Sequence, residues 1–168
     1  MRVAFFHGLE SKPNSEKNTI LNKTFDYVYA PAMDYRNGSL FDTVLQGVKD
    51  NNIELLIGSS MGGYFAYCIS TLTGIPAILF NPAVVDRSFN PVARTGNQRA
   101  HHTVIYGESD DVISPEKSQE WFKKNGVGTF KYYWENIGHK IPPHVFRKYI
   151  TIKESDGSLK LYEDWLSQ

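Results

Sequence analysis

The sequence predicts an α/β protein: a mostly parallel sheet of about six strands with helices on both faces, in a single domain over residues 1–168. Three observations carry that expectation. Short apolar runs recur six times along the chain. Segments with helical spacing separate most of them. Gly, Asn or Pro stands at or near the end of each run, where a chain turns. Strands that alternate with helices are joined by crossovers, so they lie parallel and are covered on both faces. In such sheets ligands bind outside the carboxyl ends of the strands.

The elements follow in order. Val3 to Phe6 form a buried strand that ends at His7-Gly8. A polar loop, "LESKPNSEKN", comes next, with Asn14 or Ser15 as a helix cap and a short helix through Ile20 and Leu21. Tyr27 to Ala30 make a second strand, stopped by Pro31. Ser39 caps a helix whose Leu40, Phe41, Val44, Leu45 and Val48 recur at helical spacing. Ile53 to Ile57 form a third strand, and a buried helix runs from Met61 to about Leu72. Pro76 to Phe80 give a fourth strand, closed by Asn81-Pro82. Residues 83–100 read as irregular, a short cap-like segment. His102 to Tyr106 give a fifth strand, followed by a helix from Pro115 to Lys124 capped by Ser114. Thr129 to Trp134 are the sixth strand, and Pro142 or Pro143 starts a helix through Val145, Phe146 and Tyr149. In the tail, Asp156-Gly157 suits a hairpin turn, whereas Leu159, Tyr162 and Leu166 suit a helix; the helix is the favoured reading.

Composition narrows the function classes. The chain has 168 residues, 41% hydrophobic and 21% charged, which is an ordinary globular balance. Eighteen basic residues offset eighteen acidic ones, so no net field draws the protein to nucleic acid or to a membrane surface. The single cysteine, Cys68, lies in an apolar segment and reads as buried filler. The start, "MRVAFFHG", lacks the apolar length and cleavage region of a signal peptide. No apolar stretch approaches the ~20 residues of a membrane span. The expectation is a cytoplasmic protein that binds neither nucleic acid nor membrane. Nothing in the sequence sets an oligomeric state.

The most informative stretch is "ELLIGSSMGGYFAYCI", residues 54–69. Gly58 to Gly62 match G-x-S-x-G with Ser60 at the centre, between a strand and a helix. The chain reverses sharply there. The glycines make room for helix and strand to crowd together, and Ser60 is left exposed on a strained turn. A phosphate loop fails, because the lysine and Ser/Thr of G-x-x-x-x-G-K-[ST] are missing. A dinucleotide fingerprint fails on glycine spacing.

A serine hydroxyl is a poor nucleophile until a base takes its proton, and that base needs an orienting carboxylate. Strand five runs into "YGESDDVISP", which supplies Asp110 and Asp111; strand six runs into "ENIGHKIPPH", which supplies His139 and His144. The order Ser, Asp, His is that of the α/β-hydrolase fold. An oxyanion hole needs a backbone N–H after the nucleophile, at Met61, and one from the loop after an early strand, at Leu9 behind His7-Gly8. His7, Gly8, Tyr64 and Asn81 are further pocket candidates. His7 reads mainly as a brace for its loop, and Asn81 equally as a turn former with Pro82. Tyr64, Phe65 and Tyr67 suit core and pocket wall. Arg87, Arg94 and Arg99 read as solvated loop charge, with an anion-binding role as the alternative. His101-His102 point to opposite faces of a strand and cannot share a metal ion.

These pieces resemble the YqiA-like esterases of the UPF0227 type. The matching motifs are "HGLESKPNSEK" at residues 7–17, "GSSMGGYFA" at 58–66, "FNPAV" at 80–84, "DDVIS" at 110–114 and "GHK" at 138–140. The resemblance implies a reduced α/β-hydrolase fold with a minimal cap. It implies a serine esterase acting on a small-molecule acyl ester or thioester, without metal or organic cofactor. It carries nucleophile, acid and base onto Ser60, Asp110 and His139. A non-catalytic binding protein and an acyltransferase are the alternatives.

Overall fold

The computed structural model describes residues 1–9, 16–85, 87, 94–153 and 159–161. Chain order runs β1 (Arg2–Phe6), α1 (Glu16–Thr24), β2 (Tyr27–Tyr29), α2 (Leu40–Asp50), β3 (Leu55–Ser59), α3 (Met61–Thr73) and β4 (Ala77–Phe80). Then come β5 (His101–Gly107), α4 (Pro115–Asn125), β6 (Thr129–Glu135), α5 (Pro143–Ile150), β7 (Thr151–Lys153) and β8 (Leu159–Leu161). The first six strands form one sheet in the order β2-β1-β3-β4-β5-β6, and every neighbouring pair is parallel. The chain steps outward from β1 to β2, returns across β1 to β3, and then continues the other way. The strand order therefore reverses between β1 and β3, the place where such sheets open a ligand crevice.

Strand alternation separates the core into two layers. Ala4, Phe6, Leu56, Ala77, Leu79, Val104 and Tyr106 pack with α2, α3 and Phe122 of α4. Their neighbours Val3, Phe5, Leu55, Ile57, Ile78, Phe80 and Ile105 pack with Ile20 and Leu21 of α1 and with Val145, Phe146 and Ile150 of α5. Adjacent side chains on a strand point to opposite faces, so near-continuous apolar runs serve both layers at once. Leu40, Phe41, Val44 and Val48 of α2 are buried, as their spacing requires.

Local chemistry sets the element ends. The Ser114 hydroxyl accepts the Lys117 N–H at 3.3 Å and Pro115 opens α4, an ordinary N-terminal cap. Ser39 precedes α2, but its side chain makes no cap bond; its hydroxyl donates to Asn37 Oδ1 instead. The third strand starts at Leu55 rather than Ile53, because Asn51 and Asn52 still bond back to α2 and Asn52 takes φ 47°. The Asn14 or Ser15 cap lies outside the described residues, as does the Asp156-Gly157 turn.

The tail corrects one expectation. Residues 151–153 and 159–161 are antiparallel strands, Thr151 opposite Leu161 and Lys153 opposite Leu159, where a helix was the favoured reading. At Leu159 the period of two of "TIK" and "LKL" prevails over the helical spacing, while Tyr162 and Leu166 lie outside the described residues. Among the described residues, no helix is long and apolar enough to cross a membrane.

Candidate active site

Ser60 sits between β3 and α3 with φ 56° and ψ −120°, a backbone conformation that L-residues rarely adopt. The turn is held on several sides. The Ser60 N–H donates to Phe80 O at 2.9 Å, while the Ser60 carbonyl accepts the N–H groups of Tyr64 at 3.2 Å and Ala83 at 3.0 Å. The glycines permit the crowding. A Cβ on Gly58 would stand 2.2 Å from Gly62 O, and one on Gly62 would stand 1.9 Å from Phe6 O. Both contacts are backbone, so neither neighbour can swing aside. Gly63 meets Pro82 in the same way at 3.0 Å, so "GSSMGG" and "NPA" pack directly on one another.

His139 lies between β6 and α5 and reaches Ser60. Its Nε2 is 3.1 Å from Ser60 Oγ, and its Nδ1 is 2.8 Å from Asp110 Oδ2. A carboxylate only accepts, so Nδ1–H donates to Asp110, and Nε2 is left to accept the Ser60 hydroxyl proton. The Asp110 side chain has no exposed surface. Burial by itself pushes its carboxyl upward. Hydrogen bonds from His139 and from the backbone N–H groups of Ile113 and Val112 outweigh that, and the carboxyl stays below its ordinary value. The two N–H groups reach Oδ1 at 2.9 Å each. Asp111 and His144 are both exposed and stand outside this chain of hydrogen bonds.

The two loops that bring Asp110 and His139 together touch through their backbones. A Cβ on Gly107 would stand 2.5 Å from Gly138 O and 2.6 Å from Ile137 O. The Ser109 N–H donates to Ile137 O at 3.0 Å.

The β1 loop closes the other side. A Cβ on Gly8 would lie 3.1 Å from Ser60 Cβ, so the Gly8 backbone passes directly over the turn. Leu9, next in the chain, is 41% exposed. Met61 N–H belongs to the first turn of α3, where helical N–H groups lack intrahelical partners. His7 is buried and braces the loop. Its Nε2 accepts the Met33 N–H at 3.3 Å, so Nδ1 carries the proton and donates to Gly8 O at 2.7 Å. The Tyr35 hydroxyl donates to His7 O. No pattern in the sequence marked Met33 or Tyr35, since the contacts span 26 and 28 residues.

Tyr64 is a core residue, 8% exposed, with Arg87 stacked 4.2 Å above its ring. Burial pushes its hydroxyl up to about 12. Asn81 is 1% exposed, with φ 42°. Arg94 pairs with Asp42. His101 is exposed and His102 buried on opposite faces of β5. Among the described residues, no group of three or more His, Cys, Asp or Glu is placed to hold a metal ion.

A parallel sheet reversing between β1 and β3, with a serine on a strained strand-to-helix turn, defines an α/β-hydrolase fold. The chain belongs to the uncharacterised protein family UPF0227, whose model matches residues 2–116. No curated protein matches it. Among solved structures it is similar to an α/β-superfamily protein from Xanthomonas campestris pv. campestris, at 19% identity and TM-score 0.67, covering 86% of this chain and 90% of that one. It is similar to a monoacylglycerol lipase from Paleococcus ferrophilus, at 13% identity and TM-score 0.65, covering 85% and 88%. A third similar structure is Est1E from Butyrivibrio proteoclasticus, at 12% identity and TM-score 0.62, covering 85% and 81%.

Proposed function

We propose that the protein is a serine hydrolase of small carboxylic esters or thioesters. The observation that carries the reading is the continuous hydrogen-bonded chain from Ser60 Oγ through His139 to Asp110, anchored on a strained turn. His139 Nε2 takes the hydroxyl proton as Ser60 Oγ attacks the acyl carbonyl. The carbonyl π electrons move onto oxygen. The Met61 and Leu9 N–H groups stabilise that oxyanion, assisted by the positive end of α3. Asp110 holds the Nδ1–H tautomer and stabilises the imidazolium. His139 then protonates the departing alcohol or thiol, and the carbonyl re-forms as an acyl-enzyme on Ser60. Water, deprotonated by His139, attacks the acyl carbon; the bond to Ser60 Oγ breaks as His139 returns the proton to Oγ, releasing the acid and restoring the serine.

The monoacylglycerol lipase among the similar structures accords with an acyl-ester substrate class. The test is intact-protein mass spectrometry after exposure to a fluorophosphonate, followed by a nitrophenyl-ester panel. One adduct on the wild type, none on Ser60→Ala, and turnover by the wild type alone are expected. A folded wild type that takes no label and cleaves no ester would overturn the reading.

A further inference from the structure

The geometry points to Asn81 as a positioning residue that holds the loops carrying Asp110 and His139 in register; the inference deepens the hydrolase reading and rests on it for its kinetic arm. Asn81 is the first residue after β4, and its side chain reaches neither Ser60 nor the acid and base side chains. It spans the gap between the two loops instead. Its Nδ2 donates to His139 O at 3.0 Å and to Gly138 O at 3.3 Å. Its Oδ1 accepts the Gly107 N–H at 2.7 Å. Gly107 in turn accepts the Asp110 N–H at 3.2 Å.

The partner set dictates the side chain. Two carbonyls need donors and one N–H needs an acceptor, so only a primary amide in this orientation satisfies all three. The flipped amide would set its oxygen against two carbonyls and its NH2 against an N–H. An aspartate would set its carboxylate against both carbonyls. Asn81 is nearly sealed from water, so its own amide has little solvent to replace these three partners.

The backbone at this position does related work. The Asn81 N–H donates to Ile105 O at 2.9 Å, and φ 42° turns the chain back toward Ser60, where the Ala83 N–H meets the Ser60 carbonyl. Residues 81–83 therefore touch the loops of all three members of the hydrogen-bonded chain. The His139 ring must meet Ser60 and Asp110 simultaneously, and the Nδ2 bond pins its own carbonyl. A displacement of about 1 Å in a reacting group costs on the order of 10²-fold in rate.

The test compares the wild type with Asn81→Gly, which keeps φ > 0 easy and removes the amide. Asn52→Gly is the control, since Asn52 also takes positive φ but lies in the turn after α2. With a nitrophenyl ester, Asn81→Gly is expected to lose about 10²-fold in kcat with KM near the wild-type value. Asn52→Gly should match the wild type. In proton NMR, the far-downfield His139 Nδ1–H resonance should be present in the wild type and in Ser60→Ala, and lost or broadened in Asn81→Gly. A folded Asn81→Gly with wild-type kcat and an unchanged Nδ1–H signal would overturn the proposal. So would a kcat loss that merely tracks the folded fraction. If Asn81→Gly does not fold, Asn81→Asp carries the same readouts, because it keeps the shape and the Gly107 contact and loses both donors. The NMR arm needs no substrate, so a wild type that takes no fluorophosphonate label and cleaves no ester would sink the hydrolase reading and still leave the role of Asn81 decided by the resonance.

Discussion

Replacing Ser60 by Gly should make the protein more stable than replacing it by Ala, although both variants lose turnover. Ser60 holds φ 56° and ψ −120°. A residue with a Cβ kept in so sparse a region costs roughly 1–3 kcal/mol. Alanine keeps that Cβ and the strain, whereas glycine removes both. Both variants lose Oγ and its bond to His139, so that loss cancels between them. Against the relief, glycine adds about 0.4–1 kcal/mol of unfolded-chain entropy. The balance favours Ser60→Gly by about 1 kcal/mol, a Tm higher by roughly 2–4 °C for a chain of this length. At an unstrained position the order is reversed, so the sign alone decides. The assay is urea unfolding followed by tryptophan fluorescence, with thermal melts beside it. An alanine variant as stable as the glycine variant, or more so, would refute the claim that this turn stores strain.

Three further outcomes are expected. His102 is buried against Phe130 and Tyr67, and burial holds its pKa down to about 4. Above its unfolded value near 6.5 both states are neutral and pH has no effect through it. As pH falls from about 6.5 toward 4 the unfolded chain takes up a proton that the folded protein refuses, so stability drops by about 3 kcal/mol. Urea unfolding of wild type and His102→Phe across that window checks it; an equal loss in both would place the titration elsewhere. Asp110→Asn should cost on the order of 10⁴-fold in kcat by releasing the imidazole tautomer, while Asp111→Asn stays near wild type; the reverse ranking in ester kinetics would assign the carboxylate to Asp111. Acetyl to butyryl nitrophenyl esters should be cleaved better than decanoyl or dodecanoyl ones. Residues 83–100 are rich in Arg, Asn and Pro and poor in large apolar side chains, and each methylene contributes ~0.8 kcal/mol only against an apolar wall. A steady rise of kcat/KM through dodecanoyl, below the micelle threshold, would show that a deep apolar channel exists.

The sequence by itself determined the sheet and the turn at its centre. Runs such as Val3 to Phe6 and Leu55 to Ile57 are apolar at every position because both faces of a parallel sheet are covered, and that pattern is local. Gly58, Gly62 and Gly63 were legible for the same reason. Strand, reversal and helix lie within about a dozen residues, and the crowding there admits no Cβ. The tail showed the limit of such reading, since Leu159 suits a period of two and a helical spacing at once, and only the pairing of 151–153 with 159–161 separated them.

Tertiary structure decided which members of each pair meet. Asp110 and Asp111 are neighbours in a loop without periodicity, so sequence offered both. The fold turns Asp110 inward, because the N–H groups of Val112 and Ile113 bind its carboxylate, and leaves Asp111 in solvent. His139 rather than His144 reaches Ser60, because α5 begins at Pro143 and carries His144 on its exposed side. Asn81 was legible only as a turn former or pocket residue. Its side-chain partners lie 26, 57 and 58 residues away, on loops brought together by strands β4, β5 and β6. Periodicity and turn chemistry act over a few residues, whereas matching one amide to two carbonyls and an N–H requires three strand ends to be fixed in space first.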